Sequence, residues 1–256
     1  MSFVSDSSFL GLDANLLLGL HLTNPFYVRR ILAQEDCKLC VSPPSLQRLH
    51  DVTSKMIWEE YLLNDRPFIV EDGMKDWPVM NTNNFWFDNI TDLYLSKDQE
   101  GIEPCEFGTN LRMPSNDLQN FLRTIHNPNI KHWFGHWENC DKRAAKALRP
   151  FYKRPYFIPN LVDLTDSNWV LMSSNYFSKN FHQIDFSTEL LWVAQLRGWS
   201  KFRLAPREPC STSCLPIDGS IKEGQMVVLT NFLWEFEYIP GEETDNLAIA
   251  VGGDWN

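Results

Sequence analysis

Apolar residues fall along the chain in short runs bounded by turn residues, not in long helical stripes. The runs at 168–172, 181–186, 190–196, 201–205, 225–229 and 247–251 have strand length, with Gly198 and Gly241 as turns. Trp169-Val170-Leu171-Met172 is apolar throughout and predicts a strand buried on both faces. Earlier, Arg66-Pro67-Phe68-Ile69-Val70 predicts a strand whose entry the proline fixes, and Cys105-Glu106-Phe107 another.

Helical spacing appears mainly in the first two thirds. It predicts helices over 25–32, 51–62 (Ile57, Tyr61 and Leu62 on the apolar side), 84–94, 116–125 and 141–148. Ser115 and Asp141 are placed to cap the last two. Residues 37–45 read as a loop, because Pro43-Pro44 bars helix. The fold class that results is mainly β with helical decoration. An N-terminal extension covers 1–36 and one domain covers 37–256.

Between the helices lies Lys131-His132-Trp133-Phe134-Gly135-His136-Trp137, followed by Glu138. His132 and His136 stand four apart, which invites a metal reading. The HExxH pattern is absent and Gly135 weakens a helix, so a strand with one aromatic face is the expectation.

Composition changes this picture in two places. The 256 residues carry a net charge of −10, which argues against nucleic acid or anionic membrane as partner. The six cysteines, Cys37, Cys40, Cys105, Cys140, Cys210 and Cys214, are even in number and include two close pairs. They admit disulfides in an oxidising compartment, free thiols, or a zinc site at Cys37-x-x-Cys40, and their pairing cannot be read from spacing. Asn89-Ile90-Thr91 is a glycosylation acceptor if the chain is secreted. The apolar run at 16–20 is too short to span a membrane and has no basic residue before it, so it does not read as a signal peptide or a membrane span.

The stretch 180–204, NFHQIDFSTELLWVAQLRGWSKFRL, resembles the metal-bearing hairpin of a double-stranded β-helix, the cupin or jelly-roll barrel of JmjC-type oxygenases. In that family His-x-Asp on one strand precedes an apolar strand, a Gly turn and a strand with an inward Lys. Further pieces agree: Tyr61, Pro67 and Trp77 on entry, then Trp137-Glu138-Asn139-Cys140, 154–159 (Arg-Pro-Tyr-Phe-Ile-Pro) and the loop 206–210 ending in Cys210. With Cys37-x-x-Cys40 they resemble a set of invertebrate JmjC-like proteins.

The resemblance implies Fe(II) and 2-oxoglutarate, with iron held by two imidazoles and a carboxylate. The family spacing counted back from Gly198 puts Gln183 at the first His position and Asp185 at the carboxylate, with His182 on the opposite face. The second His should fall within 231–237, which contains no His; Glu235 is the positional substitute. The 2-oxoglutarate anchor falls on Ser200, with Lys201 pointing outward. A one-residue shift of register would instead restore His182 and Lys201.

The resulting expectation is a JmjC-like protein that has lost its chemistry, a binding or scaffolding module for a protein partner in the secretory pathway, with no cofactor expected. The alternative is an Fe(II)/2-oxoglutarate-dependent protein hydroxylase or demethylase with a non-standard site at His182 or at Asp185 and Glu235, with a cytoplasmic location as the other compartment. A third reading keeps Asp185 and Glu235 as a carboxylate pair for new chemistry.

Overall fold

The computed structural model describes residues 31–41, 45–81, 87–242 and 245–256. The chain divides into two units, Met1–Ile31 and Leu32–Asn256. The helix expected over 25–32 lies almost entirely outside the described residues, and the strands and helices named below all belong to the larger unit.

The first strand is β1 (Gln47–Leu49), and the helix α1 (Ser54–Met56) continues through a π turn, Ile57–Tyr61, and a 3-10 turn, Leu62–Asn64. Thr53 starts the helix by accepting a hydrogen bond from the Met56 amide at 3.2 Å. Next come β2 (Phe68–Val70), α2 (Phe87–Leu95), β3 (Glu106–Thr109), α3 (Leu118–Ile125), β4 (Trp133–Asn139) and α4 (Lys142–Leu148). Asp117, not Ser115, caps α3: its Oδ1 accepts from the Asn120 amide at 2.8 Å while the Ser115 hydroxyl donates to its other oxygen. Asp141 caps α4 as its position suggests.

The remaining strands are β5 (Val162–Ser174), β6 (His182–Ile184), β7 (Leu190–Arg197), β8 (Trp199–Pro206), β9 (Ile217–Lys222), β10 (Met226–Thr230), β11 (Trp234–Pro240) and β12 (Asn246–Trp255). One sheet has the order β1-β2-β10-β7-β12-β5-β4-β3 and the other β6-β11-β8-β9. Only β1 and β2 pair in parallel among the described strands. From β5 to β12 the chain passes back and forth between the two sheets, with only β8 and β9 consecutive in one sheet. That winding is a jelly roll, the double-stranded β-helix of cupin and JmjC-like folds. Gly198, at φ +70, makes the tight β7–β8 turn.

The buried residues form two clusters. One lies between the outer face of the large sheet and the helices, and contains Trp77, Trp137, Phe121 and Trp192. The other lies between the two sheets and contains Trp169, Leu191, Val193, Phe202, Leu204, Val227, Trp234, Phe236 and Tyr238.

All six cysteines are bridged: Cys37–Cys210, Cys40–Cys214 and Cys105–Cys140. The first two tie the 3-10 turn Gln34–Leu39 to the turn Cys210–Thr212 after β8, and their sulfurs belong to the inter-sheet cluster. Closing a loop of 173 residues restricts the unfolded chain by roughly 5 kcal/mol in the loop-entropy picture. Cys40–Cys214 closes nearly the same loop, so its added effect is small. These bridges are compatible with an oxidising compartment.

Candidate functional site

In a jelly roll of this kind, chemistry belongs to side chains that face the space between the sheets, and strand alternation decides which ones do. On β6, Ile184 is 3% exposed and Gln183 is exposed. The register Ile184↔Phe236, Gln183↔Glu237 and His182↔Tyr238 carries the same alternation onto β11. The inward set is therefore His182 and Ile184 on β6, Trp234, Phe236 and Tyr238 on β11, and Ser200, Phe202 and Leu204 on β8.

This corrects the register drawn from family spacing by one residue on β6. Gln183 faces outward and donates to Glu235 Oε2 at 3.2 Å, and Glu235 Oε1 pairs with Arg207 at 3.2 Å. Glu235, offered as the substitute for an inward imidazole, is thus part of a solvated outer face. Asp185 is also exposed, so it does not meet Glu235 across an internal cavity. The imidazole that enters the interior is His182. The physical reason is apolar burial: Ile184 and Phe186 are both buried, and turning Gln183 and Asp185 inward would put those two apolar side chains in water. On β8, Ser200 is inward and buried, whereas Lys201 is exposed with Nζ 5.7 Å from the Trp199 ring centre.

His182 does not stand among ligands. Its ring lies 4.1 Å from Phe134, 5.7 Å from Tyr238, 5.8 Å from Tyr176 and 6.1 Å from His136, centre to centre. Its Nε2 is buried with no hydrogen-bond partner. Burial lowers its pKa.

In the sequence His136 reads as a strand histidine with no assigned role. It is on the inner face of β4, with Nδ1 3.1 Å from the Tyr238 hydroxyl; one of the two donates, according to the tautomer. Gly108, directly opposite on β3, makes room: a Cβ there would collide with Nε2 of the ring. Burial, with a contribution from His182, lowers the His136 pKa to about 4. Burial also raises that of Tyr238. His132 is outside β4, exposed, with Nδ1 2.8 Å from the Asn175 carbonyl. The two histidines of the 131–137 stretch therefore do not act together.

Two residues beyond His136 a group of carboxylates begins. Glu106 and Glu138 are direct cross-strand partners. Burial raises the pKa of both, and Asp185 raises each further by like charge.

An iron centre of the kind the fold suggests needs two imidazoles and a carboxylate on one face. His182 supplies one imidazole, but the inward residue two further on is Ile184, and the facing positions are Phe236 and Tyr238. Among the described residues no three His, Cys, Asp or Glu side chains come together to hold a metal ion. The 2-oxoglutarate carboxylate has no inward cation to meet on β8, where Ser200, Phe202 and Leu204 line the interior. The donor set does not fit the group. Chemically, the arrangement is an aromatic and imidazole packing in which burial disfavours the charged form of both rings.

No family model matches the chain, and no curated protein matches it in sequence. Among solved structures it is similar to YcfD, a ribosomal oxygenase from Escherichia coli. Identity is 11% and the TM-score 0.48, over 82% of this chain and 52% of that one. Two further structures of that oxygenase, one with cobalt and succinic acid and one with cobalt and 2-oxoglutarate, match at 12% identity with TM-scores of 0.48 and 0.46. The chain spans about half the length of these proteins. The likeness concerns the fold, which the strand order of this chain carries by itself.

Proposed function

We propose that this chain is a degenerate JmjC-like jelly roll without iron or 2-oxoglutarate chemistry, which serves as a binding or scaffolding module for a protein partner in the secretory pathway. One observation carries the reading: the side chains that β6, β8 and β11 turn inward are His182, Ile184, Ser200, Phe202, Leu204, Trp234, Phe236 and Tyr238, without a carboxylate or a cation. A hard divalent ion offered two imidazoles whose ring centres stand 6.1 Å apart, one phenol, one hydroxyl and hydrocarbon has little to replace its water shell. The three disulfides support the compartment.

The oxygenase alternative is favoured by one feature, the buried, unpartnered Nε2 of His182. Anaerobic Fe(II) titration followed by metal analysis separates the two. The expected result is no stoichiometric iron and no consumption of 2-oxoglutarate. The variant with Ile184→Asp and Tyr238→His sets two imidazoles and a carboxylate on one inner face, and gains Fe(II) affinity if the scaffold is retained. Stoichiometric iron in the unmodified protein, lost in His182→Ala, overturns the reading.

A further inference from the structure

The triplet Asn89-Ile90-Thr91 takes no part in the inter-sheet space. It has the form Asn-x-Thr with no proline between, the acceptor pattern for N-linked glycan. Helix α2 sorts its residues by face. Ile90, Thr91 and Tyr94 are buried, while Asp88 and Asn89 are exposed. The Thr91 hydroxyl donates to the Phe87 carbonyl at 2.8 Å, within the helix. The inward face of α2 is fixed by ring packing: Phe87 lies 5.3 Å from Trp133, and Tyr94 lies 5.3 Å from Trp137. Asn89 is on the exposed face of α2, away from these ring contacts.

From this placement we infer that Asn89 is an N-glycosylation site. The inference rests on the secretory reading above, which supplies the enzyme and the sugar donor, a lipid pyrophosphate-linked oligosaccharide. The Asn89 amide nitrogen forms a bond to C1 of the first sugar. The bond from C1 to the pyrophosphate oxygen breaks, its electron pair leaves with the lipid pyrophosphate, and the displaced amide proton goes to a base of the transferase. Because transfer precedes folding, burial of Thr91 in the finished protein does not obstruct it.

The test uses the full chain in two arms. In the first, a cleavable secretion leader sends it through a eukaryotic secretory pathway. Intact mass is then read before and after an amidase that releases the glycan and converts Asn89 to Asp. The expected outcome is the mass of one glycan, lost on digestion, with the conversion mapped to the Asn89 peptide; Thr91→Ser keeps the glycan and Asn89→Gln lacks it. Peptide mapping makes the answer independent of whether either variant folds. A secreted, disulfide-bonded protein with bare Asn89 overturns the glycan alone. In the second arm, protein from its native source is fractionated: a cytosolic pool with free thiols overturns the compartment and the glycan together.

Discussion

Strand β11 offers Trp234, Phe236 and Tyr238 to the interior and Glu235 and Glu237 to the outside, five residues with two opposite environments. Inside, Phe236 lies 6.2 Å from Phe202 and 6.4 Å from Tyr238 in near-parallel stacks. Outside, Glu235 meets Arg207 and Gln183, and Arg203 meets Asp218 at 2.8 Å. The inner face is held by burial and shape, the outer face by screened charge. A family-like spacing of polar residues can therefore lie on the face where it does nothing for a metal. In this fold the buried residues, not the polar ones, decide which face is inward.

The largest effect that separates the two faces is a cavity. Phe236→Ala removes a ring from a buried cluster and should cost about 3–5 kcal/mol, read as a fall in the urea midpoint. A cost below about 1 kcal/mol would mean that the interior is not packed as described.

Next comes the titration of His136. Its folded pKa of about 4 lies below the ordinary value near 6.5, so the unfolded chain binds the proton first. Above pH 6.5 the ring is neutral in both states and contributes nothing. As pH falls from there towards 4, stability falls by about 1.4 kcal/mol per unit, on the order of 3 kcal/mol in all. His182 acts in the same direction. Glu106 and Glu138, whose folded pKa values are raised, act oppositely and gain weight nearer the carboxylate range. Urea midpoints between about pH 7 and 5 should therefore decline with acid, and His136→Phe should flatten the decline. An unchanged slope in that variant would place the ring in water.

A smaller effect belongs to Gly108. Alanine there meets the His136 ring and forces it, or the β3–β4 pairing, to move, at about 1–3 kcal/mol. Combined with His136→Ala the cost should shrink, because the colliding ring is gone; a double-mutant cycle reads this coupling.

Much of the architecture is legible in the sequence. The runs that form β5, β7, β8, β10 and β12 are apolar enough to announce buried strands, and Asp141 marks the start of α4. Three strands are not announced in this way. β1 is three residues long, and β9, Ile-Asp-Gly-Ser-Ile-Lys, is a polar edge strand with Ile221 as its buried residue. β11 carries a plain alternation, Trp-Glu-Phe-Glu-Tyr, which is easily missed when the segment is searched for a metal ligand. The cysteine pairing depends on contacts across more than 170 positions, which no local spacing encodes. The site is misread for a related reason. Ile184 and Phe186 already identify the inward face of β6, and they outweigh any spacing counted from a distant glycine.

The smallest expected effect is at Glu235, and it sharpens the comparison most. Its carboxylate is about one third exposed, as is the Arg207 side chain opposite. An ion pair in that setting is screened by solvent and contributes at most about 1 kcal/mol. Glu235→Gln keeps the shape and the hydrogen-bonding reach of the side chain while removing its charge. Stability should change by less than about 1 kcal/mol, with any loss disappearing at high salt. The variant should be as indifferent to added Fe(II) as the parent. If Glu235→Gln instead costs as much as Phe236→Ala, the carboxylate faces inward, the register of β11 against β6 shifts by one, and the polar site suggested by the family spacing is restored.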